Sequence, residues 1–530
     1  MFKFVQRKTI TNMKNFSSAL FMVLIVIGFN KSGAQNSCLD PTFGIAGISI
    51  HSFGSDSITA KSINIQNDGK IIVAGYIKDS INTDFIFLRF HSNGNIDSSF
   101  GTSGIVRTDY ASGSIDKAFK LIIQTDGKFL LAGTTENLGI RQLLVIRYNS
   151  NGLIDNSFGT NGAILLGNNL IFEDMAIFLN GNIILGGSNT TSTWPSITTN
   201  FIYQINSNGL IDNTFGTNGS ITFTNNYPNF GNVFRVKKLR IQPDQKILGL
   251  SEESSEVIGW KKFMVLRFNS NGTLDSTFNN VGYAKTHGEP MIYSRELLIQ
   301  DDGKIIIQGS AGDNADLGLY ASRLQSNGAI DSTFGLNGIA QYYPRIGNNF
   351  QKCNTIFGQS GQIIHVGDTY QFWSGNNNQN FALMITNADG SINLTSCDSG
   401  FIETNITNNN QDQSIDAILQ NDGKVVQLGT SGNNNLTLIR YLDLFFTGIE
   451  NLDNSQKHTF RVYPNPANET LVVENGVGLI EIIDLSGSKV KAFNIKNNIE
   501  YIDIDEIAAG YYILVNYGAN YKTTSKFIKN

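Results

Sequence analysis

Apolar runs such as KLIIQ (120–124) and FLLAG (129–133) flank a short polar turn, and this pattern returns seven times between residues 39 and 443 with a period of about 58 residues. The turn is Q-x-D-G-K-like: Asp68-Gly69-Lys70, Asp126-Gly127-Lys128, Asn180-Gly181-Asn182, Asp244-Gln245-Lys246, Asp302-Gly303-Lys304, Ser360-Gly361-Gln362 and Asp422-Gly423-Lys424. Asp-Gly between apolar runs predicts a two-residue β-hairpin with a type I′ turn, whose central residues both need positive φ. Two further marks follow in fixed order. A strand ends in an R-F-N-S-N-G pattern at 89–94, 147–152, 204–209, 267–272 and 323–328. A corner of the form I-D-x-x-F-G-x-x-G stands at 39–47, 96–104, 154–162, 211–219, 274–282 and 330–338. A β-branched run such as Gly104-Ile105-Val106 comes next, so each unit holds four short strands.

Seven units of four antiparallel strands predict an all-β fold, a seven-bladed β-propeller over residues 39–446. A tight hairpin in every period suits a blade better than one coil of a solenoid. The corner is long enough to carry the chain from the outer strand of one blade to the inner strand of the next, with its Phe wedged between them. On that phase the seven blades are contiguous in sequence, with a closing blade shared between the two ends of the array as the open alternative. In an antiparallel blade the first and third connections share one face, and the second connection and the crossover share the other. The Asp-Gly turn, as second connection, then lies with the corner, and the variable third connections (188–200, 251–262 and 368–380 are the long ones) stand opposite. All three tryptophans, Trp194, Trp260 and Trp373, fall in these long connections, with Tyr370 and Phe372 beside the last. Aromatic side chains on a loop face offer stacking area for sugars or anchors for protein partners, which makes these five the candidate binding residues.

A residue needed in every unit belongs to the blade instead. The strand Arg is expected to reach the corner Asp: Arg89 with Asp97, Arg147 with Asp155, Arg267 with Asp275 and Arg323 with Asp331. In the sixth unit both are replaced together, by Ile385 and Asn393, while the third keeps Asp212 but has Gln204.

The corner, hairpin and strand-end motifs resemble the delta-60 repeat family across residues 39–446, a resemblance that implies a propeller and no particular reaction. It departs between the sixth and seventh units, where Ile392-Asn393 replaces Ile-Asp and residues 397–401 replace the Phe-Gly corner. Beyond a polar linker at 447–459, residues 460–530 carry Tyr463-Pro464-Asn465-Pro466, then IEIIDLSGSKV (480–490), then Ala509-Gly510-Tyr511-Tyr512. Their alternating runs and the Ser486-Gly487 turn predict a small Ig-like β-sandwich. The same residues resemble the type IX secretion C-terminal sorting domain, with Tyr463, Pro464, Asn465, Pro466, Gly510 and Tyr512 as the sorting motif. That resemblance implies the type IX secretion machinery as a partner and an extracellular or outer-membrane surface location. At the other end, Lys3, Arg7, Lys8 and Lys14 precede an apolar run at 19–29, and Ser32-Gly33-Ala34 follows, the pattern of a signal peptide over 1–34. The run is too short to span a bilayer, so the mature chain is expected to have no transmembrane helix.

At 530 residues and 41% apolar, the chain can bury an ample core and divides into one large and one small domain. A net charge of −5 and the lack of any basic run interleaved with aromatics argue against nucleic acid as a partner. The three cysteines, Cys38, Cys353 and Cys397, are widely spaced, which gives no metal motif and at most one disulfide. None of the five histidines has zinc-site spacing, and no Gly-rich phosphate loop is present. The stretch Asn149-Ser150-Asn151-Gly152 with Asp155 offers too few carboxylates for a calcium loop. No metal or cofactor is therefore expected, and no catalytic set is assembled. The reading is a secreted or cell-surface binding, adhesion or scaffold module that takes glycan or protein. The alternative, an extracellular glycan-active hydrolase or lyase, would draw paired carboxylates from Glu252, Glu253, Glu256, Asp313, Asp316 and Asp368.

Overall fold

The computed structural model describes residues 38–444 and 461–530 apart from 55, 191–197, 225–234, 255–259, 287–288, 291–292, 313–316, 344–347, 360, 372–378, 407–411, 433–434, 443, 475–477, 485–488, 496, 498 and 518–521. The signal peptide and linker expected from the sequence lie outside the described residues.

Ser57–Ile65, Ile71–Lys78, Thr83–Phe90 and Ile105–Thr108 form one antiparallel sheet in chain order. Its second strand is apolar at consecutive positions because both of its faces are covered. Ile71 and Val73 pack in a cluster with Val426 and Leu428 of the last sheet, while Ile72 and Ala74 pack with Leu131 and Leu144 of the next. Face-to-face packing of neighbouring sheets thus turns an expected alternation into continuous apolar runs. Among the described residues the repeats build seven such four-stranded groups, the first two joined by a single parallel pairing of Thr83 with Ile115 and another extended by the two-residue strand Glu289–Pro290. The first strand of each sheet packs against the first strand of the next, and Gln413–Leu419 of the last returns to Ser57–Ile65 of the first. This closed succession is a β-propeller.

Two expectations are corrected. The Asp-Gly turns are not two-residue type I′ turns. Gly69 N–H donates to Gln66 C=O at 2.9 Å, Gln66 N–H donates to Lys70 C=O at 2.8 Å, and within the turn Gly69 alone has positive φ, +82°. This is a three-residue loop, a type I turn closed by one left-handed residue. The phase also shifts by one strand. The corner at 96–104 joins the third and fourth strands of one sheet, and the chain enters the next sheet through 109–114. The seven sheets are consequently not contiguous in sequence: Ile48–His51, ahead of the first sheet, pairs with Asn435–Tyr441 as the outer strand of the last. Shifting the phase by one leaves the grouping of faces intact. Asp-Gly turns and corners still share one face, opposite the long connections and the crossovers.

The second unit, described by itself, contains a three-stranded sheet (Arg461–Tyr463, Thr470–Glu474, Ile499–Asp503) and a four-stranded one from Gly478–Ile483, Lys489–Ile495, Gly510–Tyr517 and Lys522–Lys529. Leu471, Val473, Ile480, Ile482, Ile502, Leu514 and Phe527 of the two sheets share one core, which makes the unit a β-sandwich.

Candidate functional site

On the turn face, the repeated polar residues join into an interlocking clamp. Arg147 Nε donates to Asp155 Oδ2 at 2.8 Å, and the corresponding pairs are Arg89–Asp97 at 2.8 Å, Arg267–Asp275 at 2.7 Å and Arg323–Asp331 at 2.8 Å. The other Asp155 oxygen accepts from Ser157 at 2.6 Å, and the Lys of the Asp-Gly turn adds a second cation, Lys128, at 3.1 Å. Each guanidinium also stacks over the corner Phe, as Arg147 does over Phe158 at 4.6 Å. Arg147 Nη1 then donates across to Ser207 C=O of the next sheet at 2.6 Å, as Arg267 does to Ser326 at 2.7 Å. The Phe wedge expected between blades fits beneath the Gly that ends the next sheet's N-S-N-G turn. A Cβ on Gly94, for instance, would lie 2.6 Å from the Phe43 ring.

Substitutions within the repeat keep this logic. In the third unit Gln204 Nε2 donates to Asp212 at 2.9 Å and Asn182 replaces the turn Lys at 3.3 Å, a neutral version of the clamp. The sequence did not reveal a further pair, Arg440 with Asp40 at 2.9 Å, because its members stand at opposite ends of the repeat array. Burial opposes charge on Asp40, but hydrogen bonds from Thr42 and the nearby Lys424 and Arg440 prevail and bring its carboxyl down to about 2. A carboxylate held by two cations and a hydroxyl is an architectural group.

The first strands of the sheets carry one equivalent position, each opposite the fourth residue of the neighbouring strand: Ser62, Lys120, Asp174, Lys238, Glu296, Asn354 and Asp416. Together with Arg240 these give three cations and three anions. Asp174 lies 3.8 Å from Lys120 and 3.1 Å from Arg240, and Glu296 bonds Arg240 and lies 3.2 Å from Lys238. Burial would push Asp174 and Glu296 up, yet these cations hold both below the usual range. Asp416 accepts from Asn354 and, at 3.2 Å, from Ile63 N–H, and burial keeps it raised. The network ties first strands of successive sheets together by charge, and its members neutralise one another.

On the loop face, Trp194, Phe372 and Trp373 lie outside the described residues. Trp260 begins the strand Trp260–Phe268 with its backbone opposite Pro290, and Tyr370 ends a hairpin arm opposite Gln379. Two of the carboxylates considered for chemistry are engaged by cations. Glu252 is buried between Lys237 at 2.5 Å and Lys261 at 3.4 Å and accepts from Ser294 N–H at 2.6 Å, and Glu253 meets Lys285 at 2.6 Å. Asp368 is buried and accepts from Ser414 N–H at 3.2 Å. Glu256, Asp313 and Asp316 lie outside the described residues. The same face carries a small cavity of about 150 Å³ between the second and third sheets, lined by Lys117, Phe119, Thr134, Glu136, Arg141 and Phe172 among others. Phe119 and Phe172 stack there at 6.0 Å, and Tyr76 meets Phe119 edge-on at 6.2 Å. Phe172 belongs to the buried core and Phe119 packs against it half-buried, so neither stands out in the sequence from the other apolar strand positions.

In the second unit, the expected sorting residues make an anchor for the last strand. Asn465 Oδ1 accepts from Ile528 N–H at 2.9 Å, and the Tyr463-Pro464 and Asn465-Pro466 peptides are cis. Tyr512 stacks with Phe527 at 5.6 Å and donates to Ala508 C=O at 2.8 Å, and Gly510 opens the strand Gly510–Tyr517.

Comparison with known proteins agrees with both units. The model of a β-propeller domain of unknown function, DUF5122, matches residues 66–100, 124–158, 262–278 and 300–334. The secretion system C-terminal sorting domain matches residues 461–530. No curated protein matches the chain. Among solved structures, the β-propeller domain of the trilobed protease from Pyrococcus furiosus is similar at 10% identity and a TM-score of 0.39, over 75% of this chain and 100% of that one. The acylaminoacyl peptidase of Pyrococcus horikoshii gives 8% and 0.40 over 79% of this chain and 57% of that one, and a PL25 ulvan lyase gives 10% and 0.37 over 74% and 94%. Among the described residues no helix is long and apolar enough to cross a membrane. The chain thus carries DUF5122 β-propeller repeats and ends in a secretion system C-terminal sorting domain, which directs it to the cell surface or the extracellular space.

Proposed function

We propose that this exported chain is a non-catalytic binding module, a seven-bladed propeller whose loop face takes an extracellular glycan or protein. The observation that carries the reading is the state of Glu252 and Glu253. A carboxylate already bonded to lysines is poorly placed to donate a proton or attack a sugar carbon, since hydrolysis needs two carboxyls facing an open gap. Phe119, half-buried against the core residue Phe172, with Lys117 and Arg141 beside it, supplies instead an apolar patch edged by charge, a composition that suits a contact surface. Trp194, Trp260, Trp373, Tyr370 and Phe372 extend that surface in this proposal.

The test is to incubate the purified secreted chain with an array of immobilised polysaccharides and extracellular proteins, and to assay any bound polysaccharide for shortened products. Saturable binding with intact polymer is expected. Depolymerisation by the wild-type chain that Glu252→Gln abolishes would overturn the proposal in favour of a hydrolase or lyase.

A further inference from the structure

We propose that Asp84, Asp109 and Asp116 form a calcium site on the loop face, where the first sheet meets the second. Asp84 is the second residue of the strand Thr83–Phe90, Asp109 lies in the crossover, and Asp116 is the second residue of Ile115–Ile123. Their carboxylate oxygens come within 4.8 Å of one another. Asp84 is 1% exposed, and its Oδ1 is buried without any hydrogen-bond partner, although Oδ2 accepts from Arg107 Nε at 2.5 Å. A buried carboxylate oxygen left bare beside two further carboxylates is costly unless a cation completes it.

Among the described residues one side-chain cation pairs with the cluster, Arg107, which Asp84 shares with Asp79 at 2.6 Å. Asp84 and Asp116 are both pushed above the usual range, by burial first and with the Asp109 charge contributing, which is what an unneutralised cluster produces. Asp116 also has a structural task, since it accepts from Tyr110 N–H at 2.8 Å just as Asp412 accepts from Ile406 N–H at 2.9 Å in the last sheet. Asp84 and Asp109 have no such counterparts: the positions matching Asp84 in other sheets hold Gln142, Thr199, Lys262, Gly318, Asn380 and Asn435. An all-oxygen donor set selects a hard cation. Calcium fits better than magnesium, because it spans oxygens at about 2.3–2.6 Å in loose geometry, and weak calcium sites suit an exported protein.

Terbium luminescence on the secreted chain tests this, since Tyr110 beside the site can sensitise the ion. After chelator treatment, one saturable terbium signal is expected, displaced by calcium and not by equal magnesium. Asp109→Asn, a change at an exposed residue that leaves the fold intact, should weaken binding by at least about tenfold. Calcium should also raise the melting temperature of the wild type and not of the Asp109→Asn variant. Absence of a saturable signal, equal displacement by magnesium, or an unchanged affinity in both Asp109→Asn and Asp84→Asn would overturn the assignment.

Discussion

Arg440 Nη2 lies 2.9 Å from Asp40 Oδ2, so the last repeat closes on the first corner of the chain through an Arg–Asp ion pair made by Nη2, where the other Arg–Asp pairs of the repeats are made by Nε. Arg440 Nη1 also donates to Ser92 C=O of the first sheet at 2.5 Å. Ring closure therefore depends on side chains as well as on the pairing of Ile48–His51 with Asn435–Tyr441.

Removing that cation leaves Lys424, at 3.0 Å, as the remaining cation beside the buried Asp40, whose other oxygen accepts from Thr42. Arg440→Ala is expected to destabilise the propeller by about 3 kcal/mol, the usual cost of breaking a buried pair from one side. Arg440→Gln should cost less, because Gln204 already holds Asp212 in that way. Urea midpoints give the order, and equal losses for the two variants would mean that packing rather than hydrogen bonding to Asp40 sets the effect.

Two glycines with similar φ separate conformational strain from steric contact. Gly69 has φ +82° and open space, its nearest Cβ neighbour lying 3.8 Å away, whereas Gly209 has φ +81° and a Cβ there would stand 2.6 Å from Gly159 N. Gly69→Ala should cost about 1 kcal/mol for the left-handed backbone alone. Gly209→Ala should cost at least about 2 kcal/mol more, since the Gly159 N–H to Asn208 C=O bond between sheets must also give way. Similar unfolding free energies for the two would show that the sheets do not depend on this close approach.

Burial brings His365 down to about 3, with Thr355 and Thr386 hydroxyls at 3.4 and 3.1 Å as its partners. The unfolded chain takes up a proton near pH 6.5, while the folded chain does not until about pH 3. Between those values the unfolded state binds more protons, so stability falls as the pH drops, by about 1.4 kcal/mol per pH unit from this residue. His365→Gln should flatten the difference in unfolding free energy between pH 7 and pH 5 by roughly 2 kcal/mol. A difference as steep as that of the wild type would assign the pH dependence to other groups.

The parts of this fold that are repeated were readable because each repetition obeys one physical demand. Asp155, Arg147 and Phe158 recur since every sheet must be tied to the next, and the Arg–Asp pairs followed from their joint loss at Ile385 and Asn393. The turn type was misjudged at Asp68-Gly69 because the dipeptide serves two turn families, and only the φ of Asp68 separates them. Strand phase was misjudged because a cyclic repeat has no intrinsic first strand: the register of Ile48–His51 with Asn435–Tyr441 fixes it, and that contact is long-range. Asp84, Asp109 and Asp116 carried no motif, as their approach depends on a strand, a crossover and the neighbouring sheet. Phe119 carried no signal either, because it packs half-buried against the core residue Phe172 and reads as an ordinary apolar strand position.

The most direct measurement compares the two faces. Binding of the secreted chain to immobilised polysaccharides and extracellular proteins would be recorded for wild type, for Lys117→Ala/Phe119→Ala and Trp260→Ala on the loop face, and for Asp68→Ala/Lys70→Ala on the turn face. Circular dichroism would establish that each is folded. Loss of binding by about tenfold or more in a loop-face variant, with the turn-face variant unchanged, is the result expected if repeated residues are architecture and unrepeated ones are the site. Binding lost in the folded turn-face variant and retained in both loop-face variants would contradict that division.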